Sequence, residues 1–238
     1  MLPRTLEPEV MDSAEEARDY DALDHAKVNE AFVDDFLDAV GRTPLVHRFR
    51  DRGRPLAVLD CGTGTALIPI ALAAYPVPTT ITAIDLSEEM LRLAAANVAR
   101  AGLESRIMLR RADGKRLPFD DGTFDAVMSN SIVHHLPDPM PALAEMIRVL
   151  TPGGLLFVRD LFRPDTVEQV ESLVAAYTGS ANERQQALFR DSLHAALTLD
   201  EIGASLVGMG LPASMALQTS DRHWTVAGRP HAASGVRT

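Results

Sequence analysis

Two acidic side chains stand where adjacent buried strands of a sheet would end. The apolar run 56–59 is followed by Asp60, and the segment 81–84 is followed by Asp85, which lies 21 residues after Gly64. Continuous apolar runs are typical of buried parallel strands, and ligands of open α/β sheets bind beyond the carboxyl ends of such strands. A carboxylate at the end of the second strand can accept hydrogen bonds from both hydroxyl groups of a ribose. The pattern therefore predicts a nucleoside-binding half-fold.

The loop between these segments limits which nucleoside is bound. Gly62 and Gly64 allow a sharp turn and a close approach of the backbone to a ligand. A dinucleotide-binding fingerprint would place a third glycine where this chain has Leu67. A phosphate-binding loop would need Gly-Lys-Ser/Thr, which the sequence lacks. The loop therefore argues against a dinucleotide and against a nucleoside triphosphate, and it favours another ligand that contains a nucleoside.

The sequence Asp60-Cys-Gly-Thr-Gly64, with Ala66 at the third small position, resembles motif I of the class I S-adenosylmethionine-dependent methyltransferases. The later motifs of that family follow in order, as Asp85-Leu-Ser-Glu-Glu-Met90, Ala112-Asp-Gly114, the strand 124–129 and Leu150-Thr-Pro-Gly-Gly154. The resemblance covers about residues 55–160. This segment resembles in particular the branch of the family that contains the ubiquinone/menaquinone-biosynthesis C-methyltransferases.

The resemblance implies an α/β fold. We expect a Rossmann-like, seven-stranded, mostly parallel sheet with an antiparallel terminal strand and helices on both faces. An N-terminal helical lid over 1–50 is expected to precede a methyltransferase domain over 51–228. Extra helices after strand five form an insertion at about 165–209, and residues 229–238 are expected to form a disordered tail. The segments 213–218 and 223–227 are predicted to be the closing pair of strands.

The resemblance also implies a cofactor and a reaction. S-Adenosyl-L-methionine would donate a methyl group to a small-molecule acceptor by direct in-line displacement, leaving S-adenosyl-L-homocysteine. The acceptor atom (oxygen, nitrogen, carbon or sulfur) is left open. Two alternatives also stay open: a methyltransferase that acts on protein or RNA, and a non-catalytic protein that binds S-adenosylmethionine.

In the family the acid at Asp85 binds the ribose and the acid at Asp113 faces the adenine amino group. Asp60 is expected either to contact the cofactor or to organise the loop, and Cys61 lies there because it is small, not as a catalytic thiol. The predicted cofactor-binding residues are Asp60, Cys61, Gly62, Thr63, Gly64, Asp85, Leu86, Met90, Ala112, Asp113, Gly114, Ser129, Asn130, Ser131, His135 and Tyr20.

Two adjacent histidines follow strand four, where substrate chemistry would take place. The pKa of a histidine is near neutral pH, so His134 or His135 could serve as a general base, and Asp160 joins them as a catalytic candidate. The alternative is a packing role for either ring. No metal site is expected, because adjacent side chains in a turn diverge and no nearby Cys or His completes a set of ligands.

Four further residues are candidates for contact with the substrate. Tyr20 and His25 lie in a polar and aromatic segment that could close over the site, although the same segment could be a solvated amphipathic helix. Arg159 stands at the end of strand five, where it could bind substrate or pair with Asp160. Arg222 lies in the terminal hairpin and could reach the substrate pocket.

The composition of the chain argues against several kinds of binding partner and cellular location. The 238 residues carry a formal net charge of −10, which argues against nucleic acid because tight binding to it requires several Lys or Arg on phosphates. A single cysteine excludes an internal disulfide framework. No uninterrupted apolar stretch approaches the ~18 residues of a transmembrane helix, and no signal-peptide core is found. The sequence therefore predicts a cytoplasmic monomer or homodimer that does not insert into membranes.

Overall fold

The structure is a computed structural model that describes residues 1–8, 14–21, 26–45, 53–179 and 181–230. Within helix α1 the side chains of residues 14, 16, 19 and 20 are outside this description. The amino-terminal part contains α1 (Ala14–Asp21) and α2 (Ala26–Gly41). Among the described residues, no helix is both long enough and apolar enough to cross a bilayer.

Seven strands form one sheet in the order β3-β2-β1-β4-β5-β7-β6. Strand β1 pairs in parallel with β2 and β4, β2 pairs in parallel with β3, and β6 and β7 are antiparallel. The predicted fold class is confirmed. The strands are β1 (Leu56–Cys61), β2 (Thr79–Asp85), β3 (Ile107–Arg111), β4 (Phe124–Asn130), β5 (Leu150–Leu161), β6 (Ala216–Gln218) and β7 (His223–Gly228).

In the described part of the chain, six further helices lie between and after these strands. They are α3 (Leu67–Ala74), α4 (Glu88–Ala101), α5 (Met140–Arg148), α6 (Val167–Thr178), α7 (Glu183–Ala195) and α8 (Leu199–Gly208). Each of the three helices after β5 begins with a capping box, in which an Asn or Thr and a Gln or Glu satisfy free amides at the helix start. Short 3₁₀ turns occupy Val133–His135 and Ala213–Met215. The expected strand over 213–218 is therefore wrong in its first half, because a turn precedes β6.

The chain divides into two compact units. The first unit comprises residues 11–129, 141–158 and 227–238, and the second comprises 1–10, 130–140 and 159–226. In the first unit, Phe32 and Phe36 of α2 pack edge-to-face on Phe157, with ring centroids 5.2 and 5.7 Å apart. The helical spacing of the α2 apolar residues thus buries one face of that helix, as an amphipathic pattern predicts.

The second unit has an apolar core of its own. Leu161, Val170, Val174, Leu193 and Ala196 are buried together. The partly buried side chains that pack against this cluster are Leu2, Leu173 and Phe189. The amino-terminal segment and helices α6 and α7 therefore contribute to one core.

Candidate functional site

The loop after β1 has an unusual backbone conformation. Gly62, Gly64 and Ala66 all have positive φ, at 77°, 55° and 64°. The amides of Gly62 and Thr63 donate to the carbonyl oxygen of Ile84 at 2.9 and 2.8 Å. The loop is therefore fastened to the end of β2 and turns through left-handed conformations that glycine adopts without strain.

The Asp85 carboxylate at the end of β2 is held by two backbone amides. Its Oδ2 accepts a hydrogen bond from the amide of Gly64 at 2.8 Å, and its Oδ1 accepts one from the amide of Ser87 at 2.9 Å. Burial raises the pKa of Asp85, and the amide hydrogen bonds oppose that shift. A carboxylate oxygen can accept more than one hydrogen bond. Asp85 is thus oriented by the loop and can still accept from a diol.

Asp60, the last acid of β1 before the loop, is also buried. Burial, together with a smaller effect of the negative charge of Asp85, raises its pKa to about 7. The nearby Thr65 Oγ1 is buried and has no hydrogen-bond partner among the described residues. A buried hydroxyl without a partner is costly, so this atom is suited to a polar group of a ligand.

Cys61 packs the loop against the turn after β3. A Cβ on Gly114 would lie 3.1 Å from Cys61 Sγ, which is tighter than an ordinary contact. Burial raises the pKa of the Cys61 thiol far above its ordinary value, and thiolates rather than thiols are nucleophilic. A buried thiol that stays protonated is a poor nucleophile. The packing of Cys61 also places the Ala112-Asp-Gly114 turn beside the loop.

Two other predicted contact residues have structural partners of their own. Asp113 Oδ1 accepts from the Lys115 amide at 2.9 Å, so Asp113 stabilises its own turn while its side chain stays 40% exposed. The Ser129 hydroxyl is fully buried and donates to the Cys61 carbonyl at 2.8 Å. Leu86 is partly exposed and Met90 is buried at the start of α4. Their contacts with a cofactor stay predictions.

Asn97 of α4 was not predicted from the sequence as a residue of this site. Its Nδ2 donates to the Thr65 carbonyl at 3.0 Å and to Asp21 Oδ1 at 2.9 Å, which ties α1 to the loop. The available signal was an amide side chain on the buried face of an amphipathic helix. Tyr20 precedes Asp21 on α1, but its side chain lies outside the description, and His25 lies outside the described residues altogether.

In the second unit, the Asp160 carboxylate accepts hydrogen bonds from the 3₁₀ turn that follows β4. Its Oδ2 accepts from the amides of Val133 and His134, and its Oδ1 lies 2.5 Å from His134 Nδ1. Burial alone would raise the pKa of Asp160 and lower that of His134. The ion pair reverses both directions, so the pKa of Asp160 is lowered and that of His134 is raised. Asn130 ends β4, and the amide of Ser131 donates to the Arg159 carbonyl at 2.9 Å.

Glu7 joins the two histidines from the amino-terminal segment. Its Oε1 is 3.3 Å from His134 Nε2 and 3.2 Å from His135 Nδ1. The ring centroids lie 4.2 Å apart at 34°. The expectation that adjacent histidine side chains diverge is therefore wrong, because both rings turn toward the same carboxylate. Burial and the neighbouring His134 lower the pKa of His135 to about 4.

Arg4 holds the segment that carries Glu7. Its guanidinium donates at 2.7–3.2 Å to four backbone carbonyls, those of His134, Leu136, Pro137 and Ala195. The amide of Thr5 donates to the His194 carbonyl at 3.0 Å. Nothing in the local sequence around Arg4 signals these contacts, since their partners are more than 120 residues away.

The two arginines predicted to contact substrate take different positions. Arg159 is buried, and its Nε donates to Thr225 Oγ1 at 2.9 Å. The Arg222 guanidinium lies 3.4 Å from the centre of the Tyr177 ring, and Tyr177 in turn donates to Asp221 at 2.6 Å. Substrate contact by either arginine stays a prediction.

Residues 59–158 match the family described as a methyltransferase domain. The match begins within β1, includes the loop, Asp85 and Asp113, and ends within β5. The predicted resemblance to the class I S-adenosylmethionine-dependent methyltransferases is confirmed over this segment. The predicted likeness to the ubiquinone/menaquinone-biosynthesis C-methyltransferases is confirmed by such an enzyme of a Geobacter species, which is 34% identical over 108 residues.

Two curated relatives illustrate how far the similarity extends. A demethylmenaquinone methyltransferase of Lactiplantibacillus plantarum is 39% identical over 110 residues, which are 45% of this chain and 46% of that protein. A malonyl-[acyl-carrier protein] O-methyltransferase of Geobacter sulfurreducens is 32% identical over 194 residues, 82% of this chain and 66% of that protein. The first relatives matched are thus covered over less than half of their length.

The fold is shared with a solved methyltransferase. The crystal structure of a SAM-dependent methyltransferase from Aquifex aeolicus superposes with a TM-score of 0.60 at 17% identity, covering 91% of this chain and 97% of that one. The first unit also fits S-adenosylmethionine, the cofactor of the family. It offers a carboxylate with remaining acceptor capacity at Asp85, a buried hydroxyl without a described partner at Thr65, and a loop free of side chains at Gly62 and Gly64.

Proposed function

We propose that this protein transfers a methyl group from S-adenosylmethionine to a small-molecule acceptor by direct in-line displacement. One observation carries the proposal, the Asp85 carboxylate held by the amides of Gly64 and Ser87 at the end of β2. The carboxylate that can accept hydrogen bonds from the two hydroxyl groups of a ribose is thereby held in place by the loop after β1. A nucleoside-binding site requires such a fixed carboxylate. The match to the methyltransferase family supports the choice of methyl donor.

The proposed roles follow from the chemistry of each group. When bound, S-adenosylmethionine supplies a methyl group on an electrophilic sulfonium. Asp85 would accept from the ribose hydroxyls, and Asp113 would face the adenine amino group. The loop would leave room for the methionine portion beside Thr65. The protein then needs to align the acceptor and exclude water, since positioning accounts for much of the rate enhancement of such transfers.

A hydroxyl or carbon acceptor must also lose a proton. We propose His134, His135 and Asp160 as the acid–base residues, supported by the short contact between His134 Nδ1 and Asp160. His135, with a pKa of about 4, stays neutral at neutral pH and keeps a lone pair. A thiolate or amine acceptor would not need this help.

The acceptor is proposed to be a small molecule. The net charge of −10 opposes binding to RNA, and the relative from Lactiplantibacillus is named for a quinone precursor, demethylmenaquinone. The relative from Geobacter is named for an acceptor that is attached to a carrier protein, so carrier-linked acyl groups belong in any acceptor panel.

The first experiment is calorimetric titration with S-adenosylmethionine and S-adenosylhomocysteine. We expect micromolar binding by the wild type and at least a tenfold loss, about 1.4 kcal/mol, in Asp85→Ala. Glu104→Gln, an exposed acid in the same unit, is the matched control and should bind like the wild type. A folded wild-type protein that binds neither ligand would contradict the proposal.

The second experiment measures formation of S-adenosylhomocysteine with a panel of acceptors. The panel contains quinols, phenols, amines, thiols and carrier-linked acids, together with protein and RNA substrates. Turnover with a small molecule supports the proposal. Binding without turnover across the panel points to a non-catalytic cofactor-binding protein, and turnover restricted to protein or RNA points to a macromolecular methyltransferase.

A further inference from the structure

Three metal-ligating side chains converge within the second unit. One donor atom from each of Glu7, His134 and His135 lies within 4.8 Å of the other two. Glu7 Oε1 is 3.3 Å from His134 Nε2 and 3.2 Å from His135 Nδ1. For bonds of 2.0–2.1 Å, a tetrahedral zinc ion keeps its ligands about 3.3 Å apart. The two measured separations therefore match two edges of a zinc coordination tetrahedron.

We propose that Glu7, His134 and His135 form a zinc-binding site. Two imidazoles and one carboxylate are a donor set suited to divalent zinc. Three protein ligands leave the fourth position for water or another exchangeable ligand, as in zinc sites that are not purely structural. The site lies wholly within the second unit, so the proposal does not depend on binding of S-adenosylmethionine by the first unit. A zinc ion bound here would occupy ring nitrogens of His134 and His135, so in the zinc-loaded protein these nitrogens would not serve the proton transfer proposed above.

The residues behind the ligands hold them in a conformation that suits a metal. The Asp160 carboxylate lies 2.5 Å from His134 Nδ1, so a proton on Nδ1 leaves the lone pair of Nε2 directed toward Glu7. This carboxylate–histidine–metal arrangement is the usual second shell of zinc sites. The Ser192 hydroxyl donates to both oxygens of Glu7, at 3.2 and 3.3 Å.

The backbone around Glu7 is also fixed. Arg4 and Thr5 lie three and two residues before Glu7. Together they donate five hydrogen bonds to backbone carbonyls of distant segments, which holds this part of the chain in place. All three ligands are largely buried, with side-chain exposures of 10% for Glu7, 4% for His134 and 18% for His135. A preformed and partly desolvated set of ligands binds a metal with little loss of conformational freedom.

A proton is the competitor of the metal in this cluster. In one alternative, His134 is an imidazolium that bridges Asp160 and Glu7, and His135 donates from Nδ1 to Glu7 or to the Pro8 carbonyl. Zinc binding would displace the proton on His134 Nε2. The affinity for zinc should therefore weaken as the pH falls, because metal ligands must be deprotonated.

The test is zinc titration of the full chain. The chain is first stripped of metal by a chelator, and zinc chloride is then added in competition with a chromophoric zinc indicator. We expect one zinc per chain. Glu7→Gln and His135→Gln should each raise the dissociation constant by at least about 10–100-fold, the loss typical of a change in the second shell alone. His223→Gln removes another largely buried histidine of this unit and should leave binding unchanged.

X-ray absorption on the zinc-loaded wild type gives a second reading that needs no variant. Two imidazoles and oxygen ligands at zinc support the proposal. Absence of stoichiometric binding, a spectrum without two imidazoles, or wild-type affinity in folded Glu7→Gln and His135→Gln would overturn it and leave the proton-bridged cluster. None of these measurements requires S-adenosylmethionine, so their failure is distinguishable from a failure of the proposed methyl transfer.

Discussion

The backbone amide of Gly64 donates a 2.8 Å hydrogen bond to the carboxylate of Asp85, 21 residues further along the chain. The same carboxylate accepts from the amide of Ser87, which caps helix α4. One side chain thus joins the loop after β1 to the first turn of α4. A change in the conformation of this loop should therefore also disturb the acid proposed to bind the ribose.

The left-handed conformation of Gly64 should be essential for stability. Its φ of 55° is unfavourable for a residue with a Cβ, so Gly64→Ala should lower the free energy of unfolding by about 1–2 kcal/mol. Urea denaturation followed by circular dichroism measures the change.

Ala66 provides the matched control, since it already has a φ of 64°. In Ala66→Gly, relief of backbone strain is offset by the greater freedom of the unfolded chain and by the lost methyl group. The net change should stay within about 1 kcal/mol. Equal stability of Gly64→Ala and the wild type would show that the loop does not need this conformation.

The buried Asp60 should make stability depend on pH. In the unfolded chain it ionises near pH 3.9, and in the native protein burial raises its pKa to about 7. Between these values the native state holds a proton that the unfolded state has lost. The contribution of Asp60 to stability therefore falls as the pH rises from about 4 to 7 and stays at its minimum above 7.

Asp60→Asn removes this titration. As the pH rises from 4 to 8, the unfolding free energy of the wild type should fall relative to that of the variant. The difference between the two proteins should change by on the order of 3–4 kcal/mol in favour of the variant. Urea denaturation at pH 5 and pH 8 tests the direction, with Asp120→Asn as an exposed control whose difference from the wild type should not change with pH. A constant difference between Asp60→Asn and the wild type would mean that the carboxylate is charged throughout.

The planar guanidinium of Arg4 should not be replaceable by lysine. It donates to four carbonyl oxygens in different directions, whereas an ammonium group cannot reproduce that planar set of donors. Because Arg4→Lys leaves partly buried carbonyls without donors, it should lower the unfolding free energy by about 1–3 kcal/mol.

The control for Arg4 is Arg42, whose ion pair with Asp38 is exposed on both sides, at 83% and 76%. Arg42→Lys should change stability by less than about 0.5 kcal/mol. The two variants are compared by the same denaturation measurement. A loss in Arg4→Lys no larger than that in Arg42→Lys would show that the amino-terminal segment is held by other contacts.

Local patterns were sufficient to predict the first two strands and the loop between them, whereas the seven-stranded sheet was predicted from the family resemblance. The apolar runs before Asp60 and Asp85 correspond to β1 and β2, and the glycines at 62 and 64 have the positive φ that the turn requires. Ser87 caps α4 as an N-cap serine should. These features follow from residues close together in the chain, because strand burial, turn conformation and helix capping depend on neighbouring residues.

Contacts between distant segments were beyond the reach of those patterns. Nothing near Glu7 shows that it meets His134, 127 residues away, and the expectation that the two histidines diverge was wrong for that reason. The bond from Asn97 to the Thr65 carbonyl and the full burial of the Ser129 hydroxyl likewise depend on how separate elements pack.

The sequence by itself therefore determined the resemblance to the family, the seven-stranded, mostly parallel sheet that this resemblance implies, and the acid at the end of β2. Only the tertiary structure decided which side chains share a site, as it did for Glu7, His134 and His135. The physical reason is that periodicity and turn chemistry act over a few residues. The partner of a buried polar group, by contrast, is selected by the packing of the whole unit, which must satisfy that group away from water.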